Sequence, residues 1–339
     1  MSRIGDIARG VIRRLPEGLS RRFARPAALT FHGVERATDD ARVQTNHHEA
    51  DVFYEIARAL KQNFDVLPLK MLGHVLNEPN RYVRSIFLMS DDGYANTLTL
   101  AGDILKQLGL PWALFVSTHH IETRERNPMF LARLFFAFAP DGRYPIPHFE
   151  KPIVLSRVRD AVTERALVQL KALPQGASCE ALRAMLGHVA SDIDALIARF
   201  RSEMFLTWDD VVALYRRGVE IGAHAHVHWA MHARQPEQFL REQAERPRQL
   251  IQSHIGECRF FAYPFGNVGD VSGEAWRAVR DAGYEYGFTT LSGSLDTNMN
   301  PFLLPRYTIG PRETDVARVV PLLRAGNPRV RRFQRALSK

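Results

Sequence analysis

The chain has 339 residues, 45% of them hydrophobic, and a formal net charge of +8. That is ample apolar material for one large core, and α/β barrels reach this size as a single domain. The positive excess sits at the ends: residues 1–25 carry +5 and residues 322–339 carry +6, leaving −3 between them, so no basic stripe marks a nucleic-acid binder.

Residues 1–15 place Ile4, Ile7, Val11, Ile12 and Leu15 at helical spacing with arginines between them. A basic amphipathic helix of this kind either lies on an anionic inner membrane face or packs as an ordinary surface helix. No early apolar run has the length of a signal peptide or a membrane span, and Cys179 and Cys258 form no disulfide framework. Both features predict a cytoplasmic, reducing location.

Ala27–Val34 is predicted as the first strand, with His32 near its end. Ala50–Asn63 is an amphipathic helix, Phe64–Leu67 a second strand and Ser85–Ser90 a third. Thr97–Leu108 is helical and ends at Gly109, and Trp112–Val116 is the next strand. Helices and strands that alternate in this way predict a parallel sheet with helices outside. The alternation pauses for about eighty residues, too long for a loop. Phe130–Phe138, Leu155–Leu173, Glu180–Leu186 and Ile193–Phe200 are predicted helices, joined by an irregular, proline-rich connector over Pro140–Pro152. This helical insertion either walls a binding cleft or packs as an outer layer. Alternation resumes with a helix over Thr207–Arg217, capped by Thr207, and a strand over Val219–Ile221. A helix over Pro236–His254, a strand over Phe260–Tyr263 and a helix over Glu274–Ala282 follow. Strands over Gly287–Thr290 and Leu303–Ile309 complete the series.

Three stretches carry chemistry. Ser90-Asp91-Asp92-Gly93 ends a buried strand with two adjacent carboxylates, which resist joint ionisation unless a cation or proton intervenes. Neighbouring strand residues point to opposite faces, so both aspartates serve one site only if the strand breaks, and Gly93 permits the break. His224-Ala225-His226-Val227-His228 places two histidines four apart, which one helical turn would bring to one face; a strand would instead align His226 with them. Two imidazoles with Asp92 make a donor set for a divalent ion such as zinc, with open positions left for water and substrate. Phe261-Ala262-Tyr263-Pro264-Phe265-Gly266 is an aromatic strand running into a proline–glycine turn.

In this order, each after a predicted strand, the three stretches resemble the motifs of polysaccharide deacetylases of the NodB-homology type, carbohydrate esterase family four. The resemblance covers roughly residues 27 to 310. It implies a deformed (β/α) barrel of about seven strands over residues 26–310, with the helical insertion at about 125–205. Basic segments flank it at 1–25 and 311–339. The site is expected at the C-terminal strand ends, where barrel chemistry gathers. The resemblance implies Asp91 as general base and Asp92, His224 and His228 as ligands of a divalent metal ion: zinc, with cobalt or nickel as alternatives. The Phe265 backbone N–H is expected to stabilise an oxyanion. Where the family has a hydroxyl residue and an arginine, this chain has Ala225 and Ala262; Arg306, or else Arg259, is left to orient Asp91. The family's late histidine is also missing. His32 resembles the histidine that precedes the Asp-Asp motif in other deacetylases and is the expected acid for the leaving amine. The substrate implied is an N-acetylated glycan of exopolysaccharide or cell-envelope biosynthesis. Deformylation, O-acetyl ester hydrolysis and catalytically silent glycan binding are the alternatives.

Overall fold

The computed structural model describes residues 25–189, 192–311 and 328–337. The amphipathic helix expected over residues 1–15 lies outside them, as do residues 312–327 and 338–339 of the basic segment expected over 311–339.

The chain opens with β1 (Ala27–Phe31), β2 (Gly33–Glu35) and β3 (His47–Glu49), followed by α1 (Ala50–Asn63), β4 (Asp65–Val66) and α2 (Leu72–Asn77). Next come β5 (Ser85–Ser90), α3 (Gly102–Leu108), β6 (Ala113–Val116) and α4 (Thr118–Thr123). The insertion contains α5 (Pro128–Phe138), β7 (Gly142–Tyr144), β8 (Ile153–Leu155), α6 (Asp160–Ala172), α7 (Gln175–Leu186) and α8 (Ile193–Arg199). The second half runs α9 (Trp208–Arg216), β9 (Glu220–Ala223), α10 (Glu237–Ile255), β10 (Phe260–Ala262), α11 (Gly273–Asp281), β11 (Tyr286–Phe288), β12 (Tyr307–Thr308) and α12 (Pro328–Leu337).

The main sheet is parallel and curled, in the order β11-β10-β9-β6-β5-β1-β12, with β4 beside the start of β5. Its two edges are joined by one segment. At β11 the Gly287 N–H donates to Pro301 O and the Gly287 carbonyl accepts from the Leu304 N–H, and three residues later Tyr307 pairs with Leu29 of β1. This is the seven-stranded deformed barrel expected. β1, β5 and β6 are buried along their whole length, because both faces are covered. Phe31, Leu88 and Leu114 pack with the helices, whereas Phe87, Phe115, Phe260 and Phe288 pack with one another inside. At Gly222 a Cβ would lie 2.5 Å from the Phe115 ring and 2.9 Å from the Phe260 carbonyl, so β9 accepts only glycine there.

Several boundaries differ from the sequence reading. The first strand breaks at His32, where the chain leaves the sheet and the Ser90 hydroxyl holds the His32 carbonyl at 2.9 Å. The Pro140–Pro152 connector is not wholly irregular. Gly142–Tyr144 pairs antiparallel with Ile153–Leu155, since the prolines fall in the intervening loop and the Ile-Val-Leu run suits a strand. The following helix therefore starts only at Asp160. The last strand, expected over Leu303–Ile309, shrinks to Tyr307–Thr308, since Pro305 cannot donate to a ladder.

The insertion has its own apolar core around Phe135, Leu170 and Met185. That core includes Trp229, the residue after the last histidine of the His224–His228 stretch. This packing sets the insertion directly against the strand ends.

Candidate active site

β5 ends at Ser90, and the Asp91 N–H still donates to Phe31 O at 3.0 Å. Asp92 then takes φ 75° and Gly93 φ 87°. The break in strand geometry thus begins at Asp92 itself, and both carboxylates line one cleft. Asp91 meets Arg306 in a two-pronged pair, Nη1 to Oδ1 and Nη2 to Oδ2, each 2.8 Å. Arg306 is fully buried, donates through Nε to Thr289 O at 3.2 Å, and stacks over Phe115 and Phe288. Burial pushes the Asp91 carboxyl up, but Arg306, with help from His224, outweighs it and holds Asp91 below the usual carboxylate range. Arg259, the other candidate partner, is engaged with Glu285 at the surface.

Asp92 is equally buried, but it has no guanidinium. Its Oδ1 lies 3.3 Å from His224 Nε2 and 3.1 Å from His228 Nε2, and neither carboxylate oxygen makes a hydrogen bond. One ligand atom from each of Asp92, His224 and His228 falls within 4.8 Å of the others. A buried carboxylate without a hydrogen bond, faced by two imidazole nitrogens, is the donor arrangement that a divalent cation satisfies. His224 Nδ1 lies 2.8 Å from Ala262 O. As donor there, Nδ1 leaves Nε2 unprotonated and available as a ligand.

The His224–His228 stretch is not a helical turn. β9 ends at Ala223, Ala225 takes φ 61°, and the loop reverses to bring the two rings 5.1 Å apart. The Ser117 hydroxyl holds His224 O at 2.8 Å. The Gln243 side chain accepts the His226 and Val227 N–H groups at 3.1 and 2.7 Å. Neither does His226 join the other two in a strand: its Nδ1 is bonded to the Thr118 hydroxyl at 2.8 Å.

Phe265 sits at φ 61° between Pro264 and Gly266, its ring 4.9 Å from that of His228. Its carbonyl accepts the Thr290 hydroxyl, and its N–H has no acceptor among the described residues. His32 directly follows β1, whose Phe31 pairs with Ser90, so it lies beside the aspartates and lines the same cleft. Burial lowers the His32 pKa, against the opposing pull of Asp92 and Asp91. The cleft measures about 320 Å³, and the insertion forms one wall through Asn127, Met129, Arg133, Leu167 and Lys171. Lys171 reaches across to Asp270 at 3.0 Å and to the Phe265 ring. The cleft also holds Tyr94 and Glu203, which the sequence reading did not single out. Tyr94 follows Gly93 directly and was within reach of a local argument; Glu203 belongs to no motif and arrives through tertiary folding alone.

Residues 79–287 match the polysaccharide deacetylase family, and the chain belongs to it. That span holds Asp91, Asp92, His224, His228 and Phe265, while His32 and Arg306 lie outside it. Among solved structures the chain is similar to the Streptococcus pyogenes deacetylase PplD in complex with acetate. Identity there is 12% and the TM-score 0.58, over 89% of this chain and 100% of that one. It is also similar to IcaB from Ammonifex degensii, with 13% identity and a TM-score of 0.54 over 89% and 98% of the two chains. A de-N-acetylase from Aggregatibacter actinomycetemcomitans gives 16% and 0.52 over 91% and 99%. At these identities the likeness is one of fold. No curated protein matches the chain by sequence.

Proposed function

We propose that this deacetylase is a metal-dependent hydrolase that removes N-acetyl groups from an amino sugar in a polysaccharide or lipid-linked glycan. Asp92, His224 and His228 would hold the ion, and this donor set suits zinc, with cobalt and nickel also acceptable. When bound, the ion would polarise the acyl carbonyl and acidify a water. Asp91, kept ionised by Arg306, accepts the proton of the attacking water. The Phe265 N–H donates to the oxygen that gains charge as the carbonyl becomes tetrahedral. His32 delivers a proton to the leaving nitrogen, which departs poorly as an anion. The burial that lowers the His32 pKa makes its proton easier to give up.

The observation that carries this reading is the contrast between the two neighbouring carboxylates: Asp91 is fully paired, whereas Asp92 is buried, without a hydrogen bond, and faced by two imidazoles. Metal analysis joined to an acetate-release screen on N-acetylated glycans tests it. The parent is expected to bind about one divalent ion per chain and release acetate. Asp92→Ala and His228→Ala should lose the ion, while Asp91→Asn should keep it and lose roughly a hundredfold or more in turnover. Full activity in Asp91→Asn would sink the base assignment. Formate in place of acetate, or turnover only on O-acetyl esters, would redirect the reading to those acyl groups. We further propose that the basic ends dock the enzyme on an anionic membrane, which points to a cytoplasmic leaflet, where anionic lipids concentrate.

A further inference from the structure

Glu203 ends the short turn Arg201–Glu203 near the end of the insertion, and its side chain is 2% exposed. It lines the same cleft as Asp92, together with Asn46, Tyr94 and Asn127. Among the described residues no donor hydrogen-bonds to its carboxyl. His47 Nδ1 stands 3.4 Å away and is itself without a hydrogen bond. The charges of Arg126 and Arg133 act on the carboxyl without a hydrogen bond to it, and Arg133 pairs with Glu164. A buried carboxyl without a hydrogen bond lowers stability, and a fold that keeps one at the edge of a cleft has a use for it. The cleft wall formed by the insertion presents an apolar patch, Met129, Phe130 and Leu167, beside the charged Arg133, Glu164 and Lys171. An apolar patch bordered by polar side chains is complementary to a pyranose ring, which presents C–H faces and a rim of hydroxyls.

Resting on the glycan reading above, we propose that Glu203 is a substrate-binding carboxyl. With Asn46 and Asn127 it takes hydroxyl groups of the sugar that carries the acyl group. Burial, then the charges of Glu35 and Asp92, push this carboxyl well above its usual range. A neutral carboxylic acid both donates and accepts, as a pair of sugar hydroxyls requires. Glu203 thereby determines specificity and takes no part in proton transfer to the acyl group.

The test uses the full-length, zinc-loaded chain with two substrates: an N-acetylglucosamine oligosaccharide and 4-nitrophenyl acetate, which has no sugar. Glu203→Met keeps the volume and removes every polar atom. It should raise KM for the oligosaccharide about tenfold or more while kcat stays within about threefold. Its ratio of oligosaccharide to ester kcat/KM should fall by the same factor. Glu203→Gln keeps a donor and an acceptor and should hold KM within about threefold of the parent. Thermal denaturation separates binding from folding, since Glu203→Met should melt no lower than the parent. An oligosaccharide KM unchanged in Glu203→Met overturns the proposal, as does a loss shared equally by the ester. A parent that processes the ester but binds no oligosaccharide overturns the glycan reading itself, and the role of Glu203 with it.

Discussion

Asp91 and Asp92 are adjacent in sequence and both buried, yet their surroundings are different. Arg306 satisfies one completely, while the other keeps two oxygens free of hydrogen bonds. The separation depends on Asp92 at φ 75°, and Ala225 and Phe265 are likewise left-handed without being glycine. Each of the three motifs therefore stores backbone strain at the residue that aims its chemistry. Arg306 sets the titration of Asp91, and its charge draws the carboxyl pKa down. In Arg306→Lys the two-pronged contact is lost and the charge is held less closely. The Asp91 pKa then rises, and the acidic limb of kcat/KM should move to higher pH; an unmoved limb would show that Arg306 does not govern the base. His32 is tested by leaving-group dependence. His32→Ala should keep its metal and fold but lose about a hundredfold or more on amides. Activated esters should suffer much less, because their leaving groups need no proton. Parent rates on the amide would return attention to His226 or to solvent.

The elements that deliver these residues were legible where chemistry is local. The Ile86–Met89 run before Ser90 defines a buried strand, and Ser85–Ser90 forms as read. Thr207 three residues before Asp210 marks a helix start. α9 begins there with a full capping box, Thr207 Oγ1 accepting the Asp210 N–H at 3.2 Å and Asp210 accepting the Thr207 N–H at 2.8 Å. α9 buries Val211 and Leu214 and feeds β9, which ends at Ala223, just before His224. Thr207→Ala should therefore cost about 1 kcal/mol and lower the melting temperature by a few degrees. Acetate release should be unaffected, since Thr207 is not part of the cleft lining. A melting point equal to the parent's would remove the cap from the account. What the sequence did not yield depended on distant partners. The spacing of His224 and His228 fits a helical turn, but Gln243 and Ser117 pull the segment into a left-handed loop. The 142–144 and 153–155 pairing needs the insertion's core behind it. Glu203 carries no local signal at all. Arg306 was one of two candidates until the fold brought β12 beside β1.

At the scale of the whole molecule, charge and shape are separated. The barrel and insertion carry a small negative excess, and the positive charge lies in the terminal stretches. One part of the C-terminal stretch is described: α12, which buries Val330, Phe333 and Gln334. Gln334 Nε2 holds Leu303 O at 2.9 Å, and Trp276 Nε1 holds Leu337 O at 3.1 Å, so the helix is fastened to the barrel. Arg331 is paired with Asp296 at 2.9 Å, while Arg329, Arg332 and Arg335 are exposed on the same helix. A fixed helix that presents arginines outward would meet an anionic surface without the entropy cost of ordering a tail. Each basic residue near such a surface contributes about 1 kcal/mol, over a range that 0.1 M salt limits to about 10 Å. The enzyme should therefore sediment with vesicles rich in phosphatidylglycerol at low ionic strength and be released by roughly 0.5 M salt. Replacing Arg329, Arg332 and Arg335 by Gln should weaken the binding, and deleting residues 1–25 as well should weaken it further. Acetate release from a soluble oligosaccharide should be retained in the triple variant, because these arginines are not in the cleft lining. A parent enzyme that stays in the supernatant with anionic vesicles at low salt would exclude docking through the basic ends.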